Sequence, residues 1–186
     1  MTRRLIRGAE VVVTMDATRR EIAGGEVLID GGEILAVGTG LSAEGAQIVN
    51  AQGCVVTPGL VNTHHHLFQT LTRAVPAAQD AALFGWLRTL YPIWGRMGPD
   101  DIRLSTQIGL AELALSGCTC SSDHLYLFPN GARLDDSIQA AAEIGIRFTA
   151  TRGAMSIGES KGGLPPDALV EAESAILKDS ERLIAA

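Results

Sequence analysis

The sequence predicts an α/β protein in two parts: a small all-β module over residues 1–56, then strand–helix units over residues 57–186. Three observations lead there. Short β-prone runs separated by Gly-rich turns fill the first 56 residues. Beyond Pro58 the rhythm changes to strand, helix, strand, the pattern of a parallel sheet. At the change stands Thr57-Pro58-Gly59-Leu60-Val61-Asn62-Thr63-His64-His65-His66, which gathers three of the chain's four histidines.

Taken in order, strands are expected at Leu5-Ile6, Glu10 to Met15, Gly25 to Asp30, Glu33 to Val37 and Gln47 to Val49. Asp30-Gly31-Gly32-Glu33 between two such runs is a hairpin signal. No cluster of ligating or nucleophilic residues marks this module, so it reads as structural. Leu60-Val61 opens the second part as a buried strand, followed by strands at Thr119 to Asp123 and Arg147 to Thr151. Helices are expected at Asp80 to Arg96, Asp100 to Ser116 and Asp135 to Ile144, the last two stopped by Gly117 and Gly145. A final amphipathic helix is expected from Pro166-Asp167 to the end. A closed (β/α) barrel needs eight units and about 250 residues, whereas residues 57–186 hold three units of roughly 40 each. The expected architecture is therefore the first part of such a barrel, a truncated N-terminal fragment, with an open three-stranded α/β domain as the alternative.

Composition narrows the function. The chain of 186 residues is 46% hydrophobic and carries 15 basic against 21 acidic residues, for a net charge of −6. That balance, with no basic stripe, disfavours nucleic acid as a partner. The apolar run Val11 to Val13 after the N-terminal arginines is too short for a signal peptide core or a membrane span. Three cysteines (Cys54, Cys118 and Cys120) form no disulfide or zinc-ribbon pattern, and a reducing cytoplasm is expected. Cys118 and Cys120 read as small buried hydrophobes.

On a strand, side chains alternate faces, so His64 and His66 project to one side and His65 to the other. Two imidazoles at the carboxyl end of a parallel strand suit zinc or another borderline divalent metal such as Fe2+. Four more residues fall near the same strand-end rim as candidate substrate contacts. Gln69 offers an amide that can read a ring carrying both C=O and N–H. Trp86, in Leu83-Phe84-Gly85-Trp86-Leu87, can cover a flat substrate or pack between helix and sheet, as can Tyr91 and Trp94. His124 ends the second strand beside Asp123, which either orients a ligand histidine or caps a helix. Arg152 ends the third strand, where it pairs with a substrate oxygen or with a surface carboxylate. The Gly158–Gly163 loop lacks a phosphate-binding signature and reads as mobile.

The run from Pro58 to His66, preceded by a Gly-rich β module, resembles the opening of the metal-dependent amidohydrolase superfamily, whose members join a distorted (β/α)8 barrel to a β-sandwich. The run continuing to Arg73, Leu83 to Leu87, Ser121 to Tyr126 and Arg152 to Ser156 look like the branch containing 8-oxoguanine deaminase and hydroxyatrazine ethylaminohydrolase. The resemblance implies that His64 and His66 ligate one divalent metal, zinc first, and that Gln69 binds substrate. It implies a hydrolase acting on a C–N bond of a cyclic amidine, with a small N-heterocycle and water as partners and the full-length protein as a candidate homo-oligomer. The proton-transfer carboxylates are expected beyond residue 186, so no catalytic acid or base is assigned within the chain. Alternatives are an s-triazine aminohydrolase and, in another class, an inactive metal-binding or interaction module.

Overall fold

Short aliphatic runs, each ended by a glycine or a charged turn, make seven strands before residue 57 in the computed structural model, which describes residues 3–186. These are β1 (Arg4–Arg7), β2 (Val11–Val13), β3 (Glu21–Ala23), β4 (Glu26–Asp30), β5 (Glu33–Gly38), β6 (Gln47–Asn50) and β7 (Val55–Val56). One sheet has the order β5-β4-β1-β6 and the other β3-β2-β7. Ala9, Val12, Val27 and Ala51 form the core of this unit, with Ile6, Ile22, Ile29, Val37 and Val56 packed against it. Asp30 pairs with Glu33 across the β4–β5 hairpin, and Gly31 takes a positive φ of 63°, as the Asp-Gly-Gly-Glu sequence predicts. Strands β3 and β7 are unforeseen because at three and two residues they are too short for alternation to register; both form by pairing with β2. The expected Glu10–Met15 strand shortens to Val11–Val13. Asp16 ends it, accepting the Thr18 N–H at 3.0 Å and the Arg20 Nε–H at 2.8 Å in a tight turn, while Met15 adopts φ 52°. β7 belongs to this unit, which runs to Gly59.

The second unit, from Leu60 onward, contains β8 (Leu60–Asn62), α1 (Leu83–Trp94), α2 (Pro99–Leu115), β9 (Cys118–Leu125), α3 (Leu134–Ile144), β10 (Arg147–Arg152) and α4 (Glu173–Ala185). Strand β9 lies between β8 and β10 and is parallel to both. At the start of α2, Pro99 takes the first turn and the Asp101 carboxylate accepts the Gly98 N–H at 2.8 Å. Asp136 does the same for the Arg133 N–H at 2.7 Å at the start of α3. Gly117 (φ 88°) and Gly145 (φ 80°) occupy the left-handed stop positions expected of them. The main core joins Phe68, Leu90, Trp94, Ile102, Leu125 and Leu127; Leu67, Leu110 and Ala141 form a smaller one. Cys118 is buried and Cys120 half-buried on β9, and all three cysteines are free. No helix among the described residues is long and apolar enough to cross a membrane.

Departures from the sequence expectation share a cause, in that distant partners override local pattern. Between β8 and α1 the chain makes two 3-10 turns, Leu67–Thr72 and Pro76–Ala78, and α1 starts at Leu83 because Asp80 takes φ 59°. The final helix does not run from Pro166. A 3-10 turn covers Asp167–Leu169, Val170 is extended, and α4 begins at Glu173. The Glu171 N–H donates to the Met155 carbonyl at 2.9 Å, and its carboxylate accepts from Arg152 at 2.7 Å, which together hold the segment extended. The Gly158–Gly163 loop, expected to be mobile, is tied to Asp167, whose carboxylate accepts the Ser160 N–H at 3.2 Å and its hydroxyl at 2.9 Å.

Two glycines in helices are expected to respond oppositely to alanine. A Cβ at Gly109 of α2 would lie 2.5 Å from Leu67 Cδ2 and 2.9 Å from Thr70 Oγ1, both on buried residues. Gly109→Ala should therefore destabilise by about 1–3 kcal/mol through overpacking. Gly85→Ala on the exposed side of α1, with no atom nearer than 4.0 Å, should stabilise by about 0.5–1 kcal/mol through helix propensity. Denaturant midpoints of the two variants moving in the same direction would contradict this packing. Arg152→Ala should destabilise by about 3 kcal/mol, since it leaves Glu171 facing no cation and Asp179 held by Arg182 alone. Arg152→Lys should recover only part of this, because one ammonium cannot span both carboxylates; full recovery by lysine would argue against the fork geometry.

Candidate active site

Strand β8 stops at Asn62 because its side-chain oxygen accepts the His64 N–H at 3.0 Å, turning the backbone out of the ladder. The three histidines therefore lie just past the strand rather than on it. The chain still follows β9, with the His124 N–H donating to the His65 carbonyl at 2.9 Å. The rings of His64 and His66 meet edge to face, their centroids 5.1 Å apart at 89°. His66 Nδ1 lies 2.8 Å from the His124 carbonyl oxygen. A carbonyl can only accept, so Nδ1 carries the hydrogen and Nε2 presents its lone pair.

The His66 ring lies 5.4 Å from the ring of His124 and 5.4 Å from that of Tyr126. Gly153 makes room for this cluster: a Cβ there would sit 2.4 Å from His124 Nε2 and 2.6 Å from Tyr126 Cβ. The Gln69 amide donates to the Tyr126 hydroxyl at 3.4 Å. A cavity of about 310 Å³ is lined by His64, His65, His66, Gln69, Thr70 and Arg73, among others. Burial, then the nearby His66 and His64, hold the His124 imidazole below its ordinary range. Burial also pushes the Tyr126 phenol up to about 12, so it remains a hydroxyl at neutral pH. His65 turns into a half-buried environment that lowers its pKa, with His66 and Arg73 adding to the effect; its Nδ1 has no hydrogen-bond partner.

Asp123 is 1% exposed, and its Oδ1 accepts the Leu67 N–H at 2.7 Å. It thus caps, from β9, the 3-10 turn that follows His66, and burial raises its carboxyl to about 6. Of the two roles read from sequence, the bond itself is a cap, made on a 3-10 turn that begins directly after His66.

The candidate substrate contacts separate. Gln69 and His124 stand with the histidine pair. Trp86 does not line that cavity: its half-buried ring packs edge to face on Trp94 at 5.3 Å, against the hydrophobic core. Arg152 needs a correction. Its side chain is 6% exposed, and its three guanidinium nitrogens reach Asp179 (3.2 Å), the Gly153 carbonyl (2.8 Å) and Glu171 (2.7 Å), with Cζ 4.4 Å over the Phe128 ring. Three of its five N–H donors are taken, one on each nitrogen, which makes Arg152 a clamp on α4 and the segment before it rather than a free donor on the rim. The residue missed from sequence is Tyr126. It lies two positions beyond His124 and one past the end of β9, its ring 5.7 Å from that of His124, so no strand pattern pointed to it.

His64 and His66 fit a divalent metal in donor chemistry and in the free Nε2 of His66. Among the described residues no group of three or more His, Cys, Asp or Glu is arranged to hold an ion, so the pair is one donor short of the usual catalytic set.

An 8-oxoguanine deaminase from Pseudomonas aeruginosa is 48% identical over 189 residues, covering 100% of this chain and 42% of the relative. Hydroxydechloroatrazine ethylaminohydrolase from Pseudomonas sp. strain ADP is 34% identical, covering 99% of this chain and 41% of the relative. The zinc complex of the atrazine chlorohydrolase TrzN from Arthrobacter aurescens TC1 superposes with a TM-score of 0.88 at 34% identity, over 97% of this chain and 42% of that one. The chain thus spans about two fifths of the length of the curated relatives it matches. A profile of the amidohydrolase family matches residues 55–185, and the chain belongs to that family.

Proposed function

We propose that this chain forms the opening part of a (β/α)8 barrel, preceded by part of a β-sandwich, in a cytoplasmic metal-dependent aminohydrolase that removes an exocyclic amine from an N-heterocycle. The favoured substrate is 8-oxoguanine. The observation that carries the reading is the His64/His66 pair, with the His66 tautomer set by the His124 carbonyl so that Nε2 is free to ligate. Identity of 48% to a deaminase of 8-oxoguanine supports the substrate over the triazines, whose hydrolases are 34–35% identical.

When bound, zinc, or iron(II) in its place, supplies a Lewis acid that brings the pKa of a coordinated water down towards about 7. The remaining work of this chain is orientation. Asn62 fixes the backbone at His64, and the β9 backbone fixes the chain at His65 and the ring of His66. With one amide hydrogen of Gln69 on Tyr126, its oxygen and second hydrogen remain for a ring edge that places C=O beside N–H. Proton transfer and the remaining metal ligands are assigned to parts of the protein outside this chain. A second reading, an s-triazine aminohydrolase, rests on a triazine hydrolase that superposes over the whole chain with a TM-score of 0.91.

The full-length protein should release ammonia from 8-oxoguanine with a kcat/KM at least about tenfold above that for ethylamine release from a hydroxylated triazine. The reverse ranking selects the triazine reading, and release from neither returns the chain to a non-enzymatic role. His66→Ala should lose both bound metal and turnover; full metal content in that variant would refute the ligand assignment. Gln69→Ala should raise KM or lower kcat by about tenfold, roughly 1.4 kcal/mol, without loss of metal, and wild-type kinetics would remove Gln69 from the substrate contacts.

A further inference from the structure

We infer that Asp123 is a positioning residue for the metal-donor pair, acting through the Leu67 N–H on His66. The inference rests on the reading of His64 and His66 as ligands. Leu67 directly follows His66 and begins a 3-10 turn whose N-terminal flank, His66, supplies no capping side chain. The Leu67 N–H is one of the donors such a turn leaves without a partner. Asp123 accepts it at 2.7 Å from the neighbouring strand.

Two further bonds run between the same short segments. The His124 N–H reaches the His65 carbonyl at 2.9 Å, and the His124 carbonyl takes His66 Nδ1–H at 2.8 Å. Asp123 and His124 therefore hold residues 65, 66 and 67 in succession. Two of these three bonds use β9 backbone groups that any residue at position 124 would provide. The third needs a side-chain acceptor at position 123. From the opposite side the Ser105 hydroxyl donates to the Leu67 carbonyl at 2.6 Å, so the peptide after His66 is held at both ends of Leu67.

The carboxylate is 1% exposed and its Oδ2 has no hydrogen-bond partner. A buried acid with one unpaired oxygen is a costly way to cap one turn, and cheaper caps exist on exposed surfaces. Its position, one residue from the carbonyl that sets the His66 tautomer, gives the cost a use. If the Leu67 N–H is released, the backbone at His66 is free to rotate, and the ring loses its alignment with the His124 carbonyl.

Zinc affinity measured by competition with a chelating dye, on full-length protein, tests this. Asp123→Ala should weaken binding by about 10–100-fold, the range for groups that orient metal ligands. Asp123→Asn, whose side-chain oxygen can accept the same bond, should stay within about threefold of wild type and restore the visible d–d spectrum of the cobalt(II)-substituted protein, which Asp123→Ala should alter. Thr106→Val controls for general loss of stability. It breaks a buried bond to Ser137 between α2 and α3, away from the histidines, and should leave zinc affinity unchanged.

Wild-type affinity and spectrum in Asp123→Ala would overturn the inference. So would equal weakening in Thr106→Val, which would mark the effect as stability alone. If Asp123→Ala does not fold, Asp123→Leu replaces it. Failure of both to fold while Asp123→Asn folds would make Asp123 a structural cap only and also overturn the inference. Undiminished zinc binding in His66→Ala would instead refute the ligand reading on which the inference rests.

Discussion

Because β8 and β9 run parallel, their carboxyl ends point to the same side of the sheet, and the chain that leaves β8 passes alongside the last residues of β9. That constraint organises the site. Asn62 turns the chain off β8 just before the histidines, while β9 continues to Leu125 and supplies the groups that hold them. Gly153, just past the third strand, leaves space for His124 and Tyr126. The histidine pair depends on neighbours brought by topology, and the parallel sheet brings them.

The unit from Leu60 uses two kinds of buried polar group. Thr106 and Ser137, or Trp94 and Thr72, are neutral pairs that satisfy one another inside the packing of helices against sheet. Arg152 and Asp123 are charged or chargeable, and each ties an irregular segment to a strand. Arg152 holds the extended stretch before α4 and α4 itself, whereas Asp123 holds the turn after His66. Irregular backbone has few ladder hydrogen bonds to fix it, so a directional side-chain anchor has more effect there than in a helix interior.

What could be read in the sequence was what local chemistry determines. Asp-Gly-Gly-Glu specifies its hairpin, Gly117 and Gly145 stop their helices, and the spacing of His64 and His66 brings their rings together even though the strand ends earlier than expected. What could not be read depends on partners far along the chain. The partners of Arg152 lie 19 and 27 residues later, and nothing near position 152 distinguishes a clamp from a substrate contact. The contact with Glu171, together with the Glu171 N–H on the Met155 carbonyl, also moves the start of α4. Tyr126 was hidden because it lies one residue past the end of β9, and β3 and β7 by their length. Trp86 was ambiguous for another reason, since an aromatic suited to cover a ring is equally suited to pack on Trp94.

Among the described residues, β8 is laddered only with β9 in its sheet, and β10 occupies the far side of β9. The outer backbone groups of β8 are therefore open to another strand, and its Leu60 and Val61 side chains, expected from the sequence to be buried, are 59% and 63% exposed because no strand flanks β8 on that side among the described residues. An uncovered edge bearing exposed aliphatics is a template for intermolecular strand addition. Handled by itself, the 186-residue chain carries a built-in route to aggregation next to the histidines. Its solution behaviour will depend on whether that edge is covered as well as on its intrinsic stability.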